Sequence, residues 1–289
     1  MISVIIPVYN DSENLQKCLT ALKNQSINVD LFEVLVIDNN SEEDILHVVE
    51  KFGDRNVKYL KEEKIGSYAA RNLGIANSQG EIIAFTDSDC IPKNDWLEKG
   101  TACLKYATMP GVVGGRIQLT FRGERPNYPE IYEKHTAFRQ KENLATGTCV
   151  GANWFSYKSV LNQFGGFNSK LKSGGDTELS GLISHHGYKA IYCEEAVIFH
   201  PARHSFKALG IKYARLYGGR FDRCKSNKLR FSIFYFLRFI FRRTRWNLKL
   251  IFKGYLKDSF AIFIVNLYIY YKLFNEVIQL NRGKLSSRA

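Results

Sequence analysis

The acidic triplet Asp87-Ser88-Asp89 has the residue types and spacing that point most directly to chemistry. It follows the apolar run 81–85 and holds two carboxylates two residues apart. Carboxylates this close repel each other unless a cation neutralises them, and oxygen ligands of this kind suit Mg²⁺ or Mn²⁺. Such a cation can stabilise a diphosphate leaving group. The triplet therefore predicts a divalent-metal site, with a solvated turn as the alternative.

Two further segments offer groups that suit a nucleotide. Asp38 ends an apolar run, and residues 39–41 behind it lead into a predicted helix. A carboxylate in this place can accept hydrogen bonds from a ribose or a base, and amides at a helix start can receive anionic groups. Gly66 opens a predicted helix over 67–77 that carries Arg71, a cation able to reach a phosphate. A plain N-cap cluster and a helix-face arginine are the respective alternatives.

Two residues of the second half complete the set of candidate groups. Asp176 stands after two glycines at the start of a predicted helix over 177–186, where an acid could act as general base toward an acceptor hydroxyl or merely cap the helix. His200 ends a predicted strand over 196–199. Its imidazole could complete a metal shell, although a lone histidine is more often structural.

The elements that must position these groups alternate between strands and helices. Short apolar runs rich in β-branched residues predict strands, and apolar residues at helical spacing predict the helices between them. Alternation of this kind implies an α/β fold with a doubly wound, mostly parallel sheet, in which ligands lie beyond the carboxyl ends of the strands. We therefore expect residues 7–10, 38–41 and 87–89 to line one edge. The predicted strands of the first half are 2–8, 32–37, 57–60 and 81–85.

Charge is distributed unevenly along the chain of 289 residues. The composition, 45% hydrophobic and 24% charged, is that of a globular protein, and the net charge is +13. Residues 203–289 hold 20 Lys and Arg but only 3 Asp and Glu, a balance of +17, so the remainder carries −4. Because the excess of positive charge lies far from the acidic edge, nucleic acid is not the expected partner.

Aromatic and basic residues increase together beyond residue 206. The longest nearly apolar stretch, 260–271, is shorter than the roughly 20 residues of a spanning helix, and Asn266 interrupts it. Amphipathic helices that lie on an anionic membrane surface fit this pattern better, because long basic side chains can reach the headgroups beside buried aromatics. A helical subdomain with a solvated basic face is the alternative.

The cysteines and the first residues bear on the cellular location. Six cysteines lie far apart with no C-x-x-C pair, and a strand-like run follows Met1 directly in place of a secretory leader. This combination predicts reduced thiols and a cytoplasmic protein, attached peripherally to the inner face of the cell membrane.

Taken together, these segments resemble the family 2 glycosyltransferases, the inverting, nucleotide-sugar-dependent group with the GT-A fold. The likeness covers about the first 205 residues and follows the family's order. It implies a GT-A domain over 1–205, with a nucleotide-sugar half over 1–91 and an acceptor half over 92–205, and a basic helical extension over 206–289. The motifs that carry it are 4–10, 70–75, 85–90, 165–167, 174–179 and 197–200.

The resemblance also implies a role for each candidate residue. Asp176 would take the proton of an acceptor hydroxyl while Mg²⁺ or Mn²⁺ stabilises the departing nucleoside diphosphate, so that the anomeric configuration inverts. The expected donor is a UDP-sugar, and the expected acceptor is a glycan or lipid-linked glycan of cell-surface polysaccharide biosynthesis. The metal ligands would be Asp87, Asp89 and His200; the substrate-binding residues would be Pro7, Tyr9, Asn10, Asp38, Asn40, Gly66, Arg71, Asp87, Ser88, Asn153, Trp154 and Glu178, with Asn153 and Trp154 at the acceptor wall.

Some features depart from the family pattern. Gly175 precedes Asp176 where many relatives carry an acid, and residues 242–246 are similar to the Q-x-x-R-W signature of processive synthases but lack its glutamine. Two other functions stay open at this point. A sugar nucleotidyltransferase should have a glycine-rich, basic loop in place of residues 7–10, and a non-enzymatic basic membrane-binding module would use only the tail.

Overall fold

The computed structural model describes residues 1–53, 56–224 and 227–283, which form two compact units. The predicted extension over 206–289 therefore reaches outside the described residues at 225–226 and 284–289. Residues 119–137 and 172–174 group with the C-terminal residues, which the sequence did not indicate. The first unit comprises Met1–Gln118, Phe138–Leu171 and Gly175–His200, and the second comprises Leu119–Ala137, Lys172–Gly174 and Pro201–Ala289.

The strands form one eight-stranded sheet with the order β3-β2-β1-β4-β7-β6-β8-β5. The first four strands pair in parallel, whereas β7 is antiparallel to β4 and β6, and β5 is antiparallel to β8. The predicted α/β class is confirmed, and the parallel pairing is concentrated in the first half. The strands are β1 Ile2–Val8, β2 Phe32–Asp38, β3 Val57–Lys61, β4 Ile82–Thr86, β5 Ile91–Pro92, β6 Pro110–Thr120, β7 Asn153–Tyr157 and β8 Lys189–Pro201.

Helices follow most strands, as the alternating pattern predicts. The predicted helix over 67–77 has the observed bounds, and the helix expected from 177 begins two residues earlier. The helices are α1 Ser12–Lys23, α2 Ile45–Phe52, α3 Ser67–Asn77, α4 Trp96–Lys105, α5 Tyr128–Thr136, α6 Gln140–Ala145, α7 Lys158–Gln163, α8 Gly175–His185, α9 Phe206–Arg223, α10 Lys228–Phe252 and α11 Leu256–Asn281.

The register of the parallel strands brings their carboxyl ends into one row. Val8 is opposite Asp38, and Asp38 is opposite Lys61 on the next strand. On the other side of β1, Ile5 is opposite Phe85, two residues before Asp87. The loops after β1, β2 and β4 therefore lie side by side, which confirms the expectation that the three polar segments share one edge.

Both faces of the central strands are buried, because alternate side chains of a strand point to opposite faces. On one face Val4 and Ile6 pack with Leu15 of α1, whereas on the other Ile5 packs in a cluster with Ala70 of α3. A sheet covered on both faces buries every position of its central strands, as observed for β1 and β2, so most of these positions are apolar. The buried polar exceptions are Ser3, Glu33 and Asp38. This explains why these strands are recognisable in the sequence as nearly continuous apolar runs.

The second unit is helical and has its own core, to which α5, α9, α10 and α11 contribute. Among its buried groups, Glu133 accepts hydrogen bonds from Lys212 (2.6 Å) and from the backbone N–H of Arg203 (3.0 Å). The Arg243 guanidinium lies 5.3–5.5 Å from the ring centroids of Tyr132, Tyr213 and Phe239. The core is thus held by buried charge and cation–π contacts as well as by apolar packing.

Helix α11 is longer than the apolar stretch 260–271 suggested. It has 26 residues, and within the described part of the chain it is the one helix long and apolar enough, by length and composition alone, to cross a membrane. Its most apolar 18-residue window is 33% buried inside the protein. A core helix of a soluble protein satisfies the same criterion, so the finding is weak evidence for a span.

Candidate active site

The carboxylate of Asp38 is buried at the end of β2, and each of its oxygens accepts one hydrogen bond. It accepts hydrogen bonds from the backbone N–H of Ser41 (2.9 Å) and from the hydroxyl of Tyr59 (2.9 Å). Burial and the neighbouring Asp38 carboxylate together raise the pKa of Tyr59 to about 12. Asp38 therefore caps the following turn and binds Tyr59 of β3. These contacts fix the backbone at the carboxyl end of β2, in the row of strand ends that β1, β2 and β4 form.

The loop after β1 is tied to the loop after β2 by Asn10. This residue has a left-handed backbone (φ 48°), its N–H donates to Ser41 Oγ (3.0 Å), and its Oδ1 accepts from the N–H of Glu42 (2.7 Å). Asparagine tolerates this conformation better than most residues. Pro7 is buried in β1, whereas Tyr9 is exposed on the rim of the row.

Asn39 organises the segment that leads to Gly66. Its side-chain amide donates to the carbonyls of Glu62 (3.2 Å) and Lys64 (2.9 Å), and its Oδ1 accepts from the N–H of Gly66 (2.6 Å). Gly66 has φ 130°, which favours glycine, and Asn40 also has a positive φ (65°) on the exposed side of the loop. Asn39 was not among the predicted site residues, although it lies inside the predicted segment 38–41.

Arg71 is a buried cation that points at the acidic triplet. Helix α3 lies close to β1 at Gly74, where an added Cβ would be only 2.5 Å from Ile5 Cγ2. One turn earlier, the Arg71 guanidinium forms an ion pair with Asp87 and lies 5.9 Å from the ring centroid of Phe167. Its Nε is buried and has no hydrogen-bond partner among the described residues. An unsatisfied donor in such a place suits a ligand that brings an acceptor.

Four potential metal ligands converge beyond β4. One ligand atom from each of Asp87, Asp89, Cys90 and His200 lies within 4.8 Å of the others, and His200 Nε2 is 3.4 Å from Asp89 Oδ2. The ring of Phe138 packs on His200 with 4.4 Å between centroids. Burial and the neighbouring carboxylates raise the pKa of Cys90 well above its ordinary value, so its sulfur stays a neutral thiol. Two carboxylates and an imidazole are a donor set that fits Mn²⁺ or Mg²⁺.

The middle residue of the triplet is held by an acid that the sequence reasoning missed. Ser88 Oγ donates to Asp11 Oδ2 (2.8 Å), and Asn14 donates to the other oxygen of Asp11 (2.7 Å). Burial raises the pKa of Asp11, and the two hydrogen bonds oppose this shift. Asp11 directly follows Asn10 in the sequence, but only the parallel pairing of β1 with β4 brings it beside Ser88.

Asp176 lies half-buried at the start of α8 and accepts three hydrogen bonds. The donors are the hydroxyl of Tyr68 (3.2 Å), the backbone N–H of Gly151 (3.2 Å) and the N–H of Thr177 (3.0 Å). A Cβ at Gly151 would lie 3.5 Å from the Arg71 guanidinium. Gly151 is therefore next to both Asp176 and Arg71, and Tyr68 reaches Asp176 from the same helix that carries Arg71.

Three predicted substrate-binding residues do not lie with the side chains around Arg71, Asp87 and Asp176. Asn153 and Trp154 are fully buried in β7, where Asn153 bonds to Trp96 (2.9 Å) and Trp154 donates to Ser156 (2.6 Å). Their side chains are part of the core, because β7 inserts antiparallel beside β4. Glu178 is exposed and accepts from Asn168 (3.1 Å).

Comparisons with known proteins agree with this geometry. The sequence profile described as glycosyl transferase family 2 matches residues 3–165. Glycosyltransferase AglE of Haloferax volcanii is 36% identical over 209 residues, which are 70% of this chain and 67% of that protein. Glycosyltransferase GlyA of Streptococcus pneumoniae is 34% identical over 100 residues, 34% of this chain, and the match spans only 13% of GlyA.

Two solved structures share the fold. The mannosyltransferase PcManGT from Pyrobaculum calidifontis, in complex with GDP-Man and Mn²⁺, is 20% identical with a TM-score of 0.61, covering 98% of this chain and 76% of that one. TarS 1–349 of S. aureus, in complex with UDP-GlcNAc, is 18% identical with a TM-score of 0.55, covering 98% of this chain and 92% of that one. The chain belongs to glycosyltransferase family 2 and is a glycosyltransferase with the GT-A fold.

Proposed function

We propose that this glycosyltransferase is metal-dependent and inverting, and that it moves a sugar from a UDP-sugar to a hydroxyl of a glycan or lipid-linked glycan. One observation carries the proposal. The Asp176 carboxylate accepts a hydrogen bond from Gly151, the Arg71 guanidinium lies beside the same residue, and Arg71 in turn pairs with Asp87 of the acidic triplet. A base for the acceptor thus lies next to a cation for the donor. A sugar nucleotidyltransferase or a purely membrane-binding module is excluded by the family.

Asp176 acts as the general base in this proposal. Three hydrogen bonds hold its carboxylate in one orientation. From this position it would take the proton of the acceptor hydroxyl as that oxygen attacks the sugar, while the bond to the nucleoside diphosphate breaks. A single displacement of this kind inverts the anomeric configuration.

The donor would be held across the strand-end row. Tyr9 and Asn10 on the rim, with Asp38 below them, would contact the nucleoside, and Arg71 would direct its unpaired Nε to a phosphate. Asp87, Asp89 and His200 would hold Mg²⁺ or Mn²⁺, which when bound stabilises the charge that develops on the diphosphate. The Mn²⁺ in the PcManGT complex supports the choice of cation. The two complexes hold different nucleotides, GDP-Man in PcManGT and UDP-GlcNAc in TarS, so the choice of UDP is supported by TarS alone.

The cellular setting is also a proposal. Residues 1–91 would form the donor half and 92–205 the acceptor half, and residues 206–289 would attach the enzyme to the inner face of the cell membrane beside a lipid-linked acceptor. Support comes from the strongly basic tail and from the exposed apolar side chains of α10 and α11. Assembly of cell-surface polysaccharide fits this placement.

Substitution of the proposed base is the direct test. Asp176→Asn keeps the size of the side chain but removes its charge, so transfer should fall by about 10²–10⁴-fold while UDP still binds in Mn²⁺. Glu50→Gln, an exposed acid on α2 of the same unit with no proposed role at the site, is the matched control and should keep full turnover. Full turnover by the Asp176 variant would remove it as the base. A thermal-shift screen of UDP-, GDP- and TDP-sugars with Mn²⁺ identifies the donor.

A further inference from the structure

The second unit carries apolar side chains that its own helices leave uncovered. On α11, six of them recur at intervals of three or four residues, which places them in one stripe along the helix. The other side of α11 is buried in the core through Ile262, Val265 and Ile269. The stripe therefore lies outside the core of the unit. It consists of Leu256, Phe260, Phe263, Leu267, Tyr271 and Phe274, each 49–64% exposed.

A second stripe of exposed apolar side chains lies on α10, which packs against α11. Phe236 packs against Phe274 with 6.1 Å between ring centroids, and the hydroxyl of Ser259 donates to Asn247 (2.9 Å), so the two helices run antiparallel. With this pairing, helical spacing turns both stripes to the same side of the helix pair. We call the combined surface the α10–α11 face. Its α10 members are Phe234, Leu237, Phe241, Leu248 and Phe252.

A row of cations borders this face. Helix α10 contains seven Lys and Arg but no Asp or Glu. Aromatic and aliphatic groups flanked by long cations match an anionic leaflet, because the apolar groups enter the acyl boundary while the cations reach lipid phosphates. A second copy of the same face would instead bring like charges together. The exposed row comprises Arg238, Arg242, Arg245, Lys249 and Lys253.

We propose that the α10–α11 face is the membrane-contact surface and that both helices lie in the plane of an anionic leaflet without crossing it. An apolar cavity of about 500 Å³ opens beside Leu256 and Phe260, with Lys257 in its lining, and offers room for part of an acyl chain. A crossing α11 would carry two polar residues into the bilayer: Asn266, which is buried in the protein, and Asp258, which pairs with His135 at 2.6 Å. The inference rests on the proposed membrane attachment and not on the catalytic roles.

Vesicle sedimentation of the full chain tests the surface. Wild type should bind vesicles of phosphatidylcholine and phosphatidylglycerol far better than phosphatidylcholine alone, and salt should weaken this binding. The triple variant Phe263→Ser, Leu267→Ser, Phe274→Ser should bind at least about tenfold more weakly. Leu182→Ser on α8, a similarly exposed leucine of the first unit, should bind like wild type.

The possible failures are distinguishable. Wild type that stays in solution with anionic vesicles would refute membrane attachment itself. Equal vesicle binding by wild type and by the triple variant would refute the α10–α11 face alone. A wild-type dimer that the triple variant converts to a monomer, with no vesicle binding by either, would identify a protein interface and overturn the proposal.

Depth-dependent fluorescence quenching tests the in-plane orientation. Positions 260 and 274 lie about 21 Å apart along α11 at 1.5 Å per residue. Tryptophan at either exposed position (Phe260→Trp or Phe274→Trp) should be quenched best by lipids brominated at the same depth, after subtraction of the three native tryptophans. Different optimal depths for the two positions would indicate a crossing helix. Unchanged circular dichroism confirms that each variant is folded.

Discussion

Replacing Arg71 with methionine separates donor binding from metal binding at the acidic triplet. Methionine keeps an unbranched, flexible stem that can stay packed in the buried space, but it removes the guanidinium. That group pairs with Asp87, and its buried Nε has no hydrogen-bond partner among the described residues. The substitution therefore removes a cation for the diphosphate and at the same time frees a carboxylate of the triplet.

The two consequences have opposite signs. A hydrogen bond to a charged group contributes about 1.5–3 kcal/mol, so UDP in saturating Mn²⁺ should bind about 10–150-fold more weakly to the variant. Mn²⁺ alone should bind as well as to wild type or better, because Asp87 then lacks the competing positive charge. A merely destabilised site would lose both affinities together.

Titration calorimetry with UDP and with Mn²⁺ alone measures both effects on the same preparation. Arg139→Met is the matched control, since Arg139 is an exposed arginine of the first unit that pairs with Glu142 at 3.2 Å. UDP affinity within twofold of wild type in a folded Arg71 variant would refute its role in donor binding. A parallel loss of Mn²⁺ affinity would refute the separation of roles.

Three other substitutions test other contacts. Tyr68→Phe removes one of the three hydrogen bonds to Asp176, so kcat should fall about tenfold while UDP affinity is unchanged; an unaltered kcat would show that the contact is dispensable. His200→Ala should weaken Mn²⁺ binding by about 10–100-fold in calorimetry, and equal affinity would contradict a ligand role. Glu133→Gln leaves Lys212 buried without its carboxylate and should lower the free energy of unfolding by about 3–5 kcal/mol. Burial opposes ionisation of Glu133, but its two cationic partners outweigh it and lower the pKa below the usual 4.5, so its stabilisation is present at neutral pH and is lost as the pH falls below about 4.5. Denaturant titrations at pH 7 and pH 4 should show a smaller difference for the variant than for wild type.

The strand-end row was predictable because its cause is local. Strands buried on both faces are mostly apolar, so β1, β2 and β4 are recognisable from their own residues, and parallel pairing then aligns Asp38 with the triplet. The bounds of α3 follow from its glycine entry and its helical spacing. These features depend on residues close together in the chain.

The missed contacts depend on residues far apart in the chain. Tyr68 reaches Asp176 across 108 positions, and Asp11 reaches Ser88 across 77, so no local pattern could reveal either hydrogen bond. Trp154 is placed at the acceptor wall by the family resemblance, which rests on the order of the motifs along the chain and not on burial. The antiparallel insertion of β7 buries it instead.

The organisation of the second unit was also only partly predictable. Charge composition marks the tail from about residue 203, but α5 joins the same unit from the middle of the chain. Its link to the tail is the buried Glu133, whose partners Arg203 and Lys212 lie 70 and 79 residues later. Composition alone could not show that a mid-chain acid neutralises part of the basic tail.

Binding of UDP in the presence and absence of Mn²⁺ is the most direct test of the central claim, that the acidic triplet and His200 form a metal-dependent donor site. Calorimetry of wild type should show UDP binding with Mn²⁺ and a large loss of affinity in EDTA, and Asp89→Ala should remove the difference between the two conditions. Equal UDP affinity with Mn²⁺ and with EDTA in wild type would contradict the account.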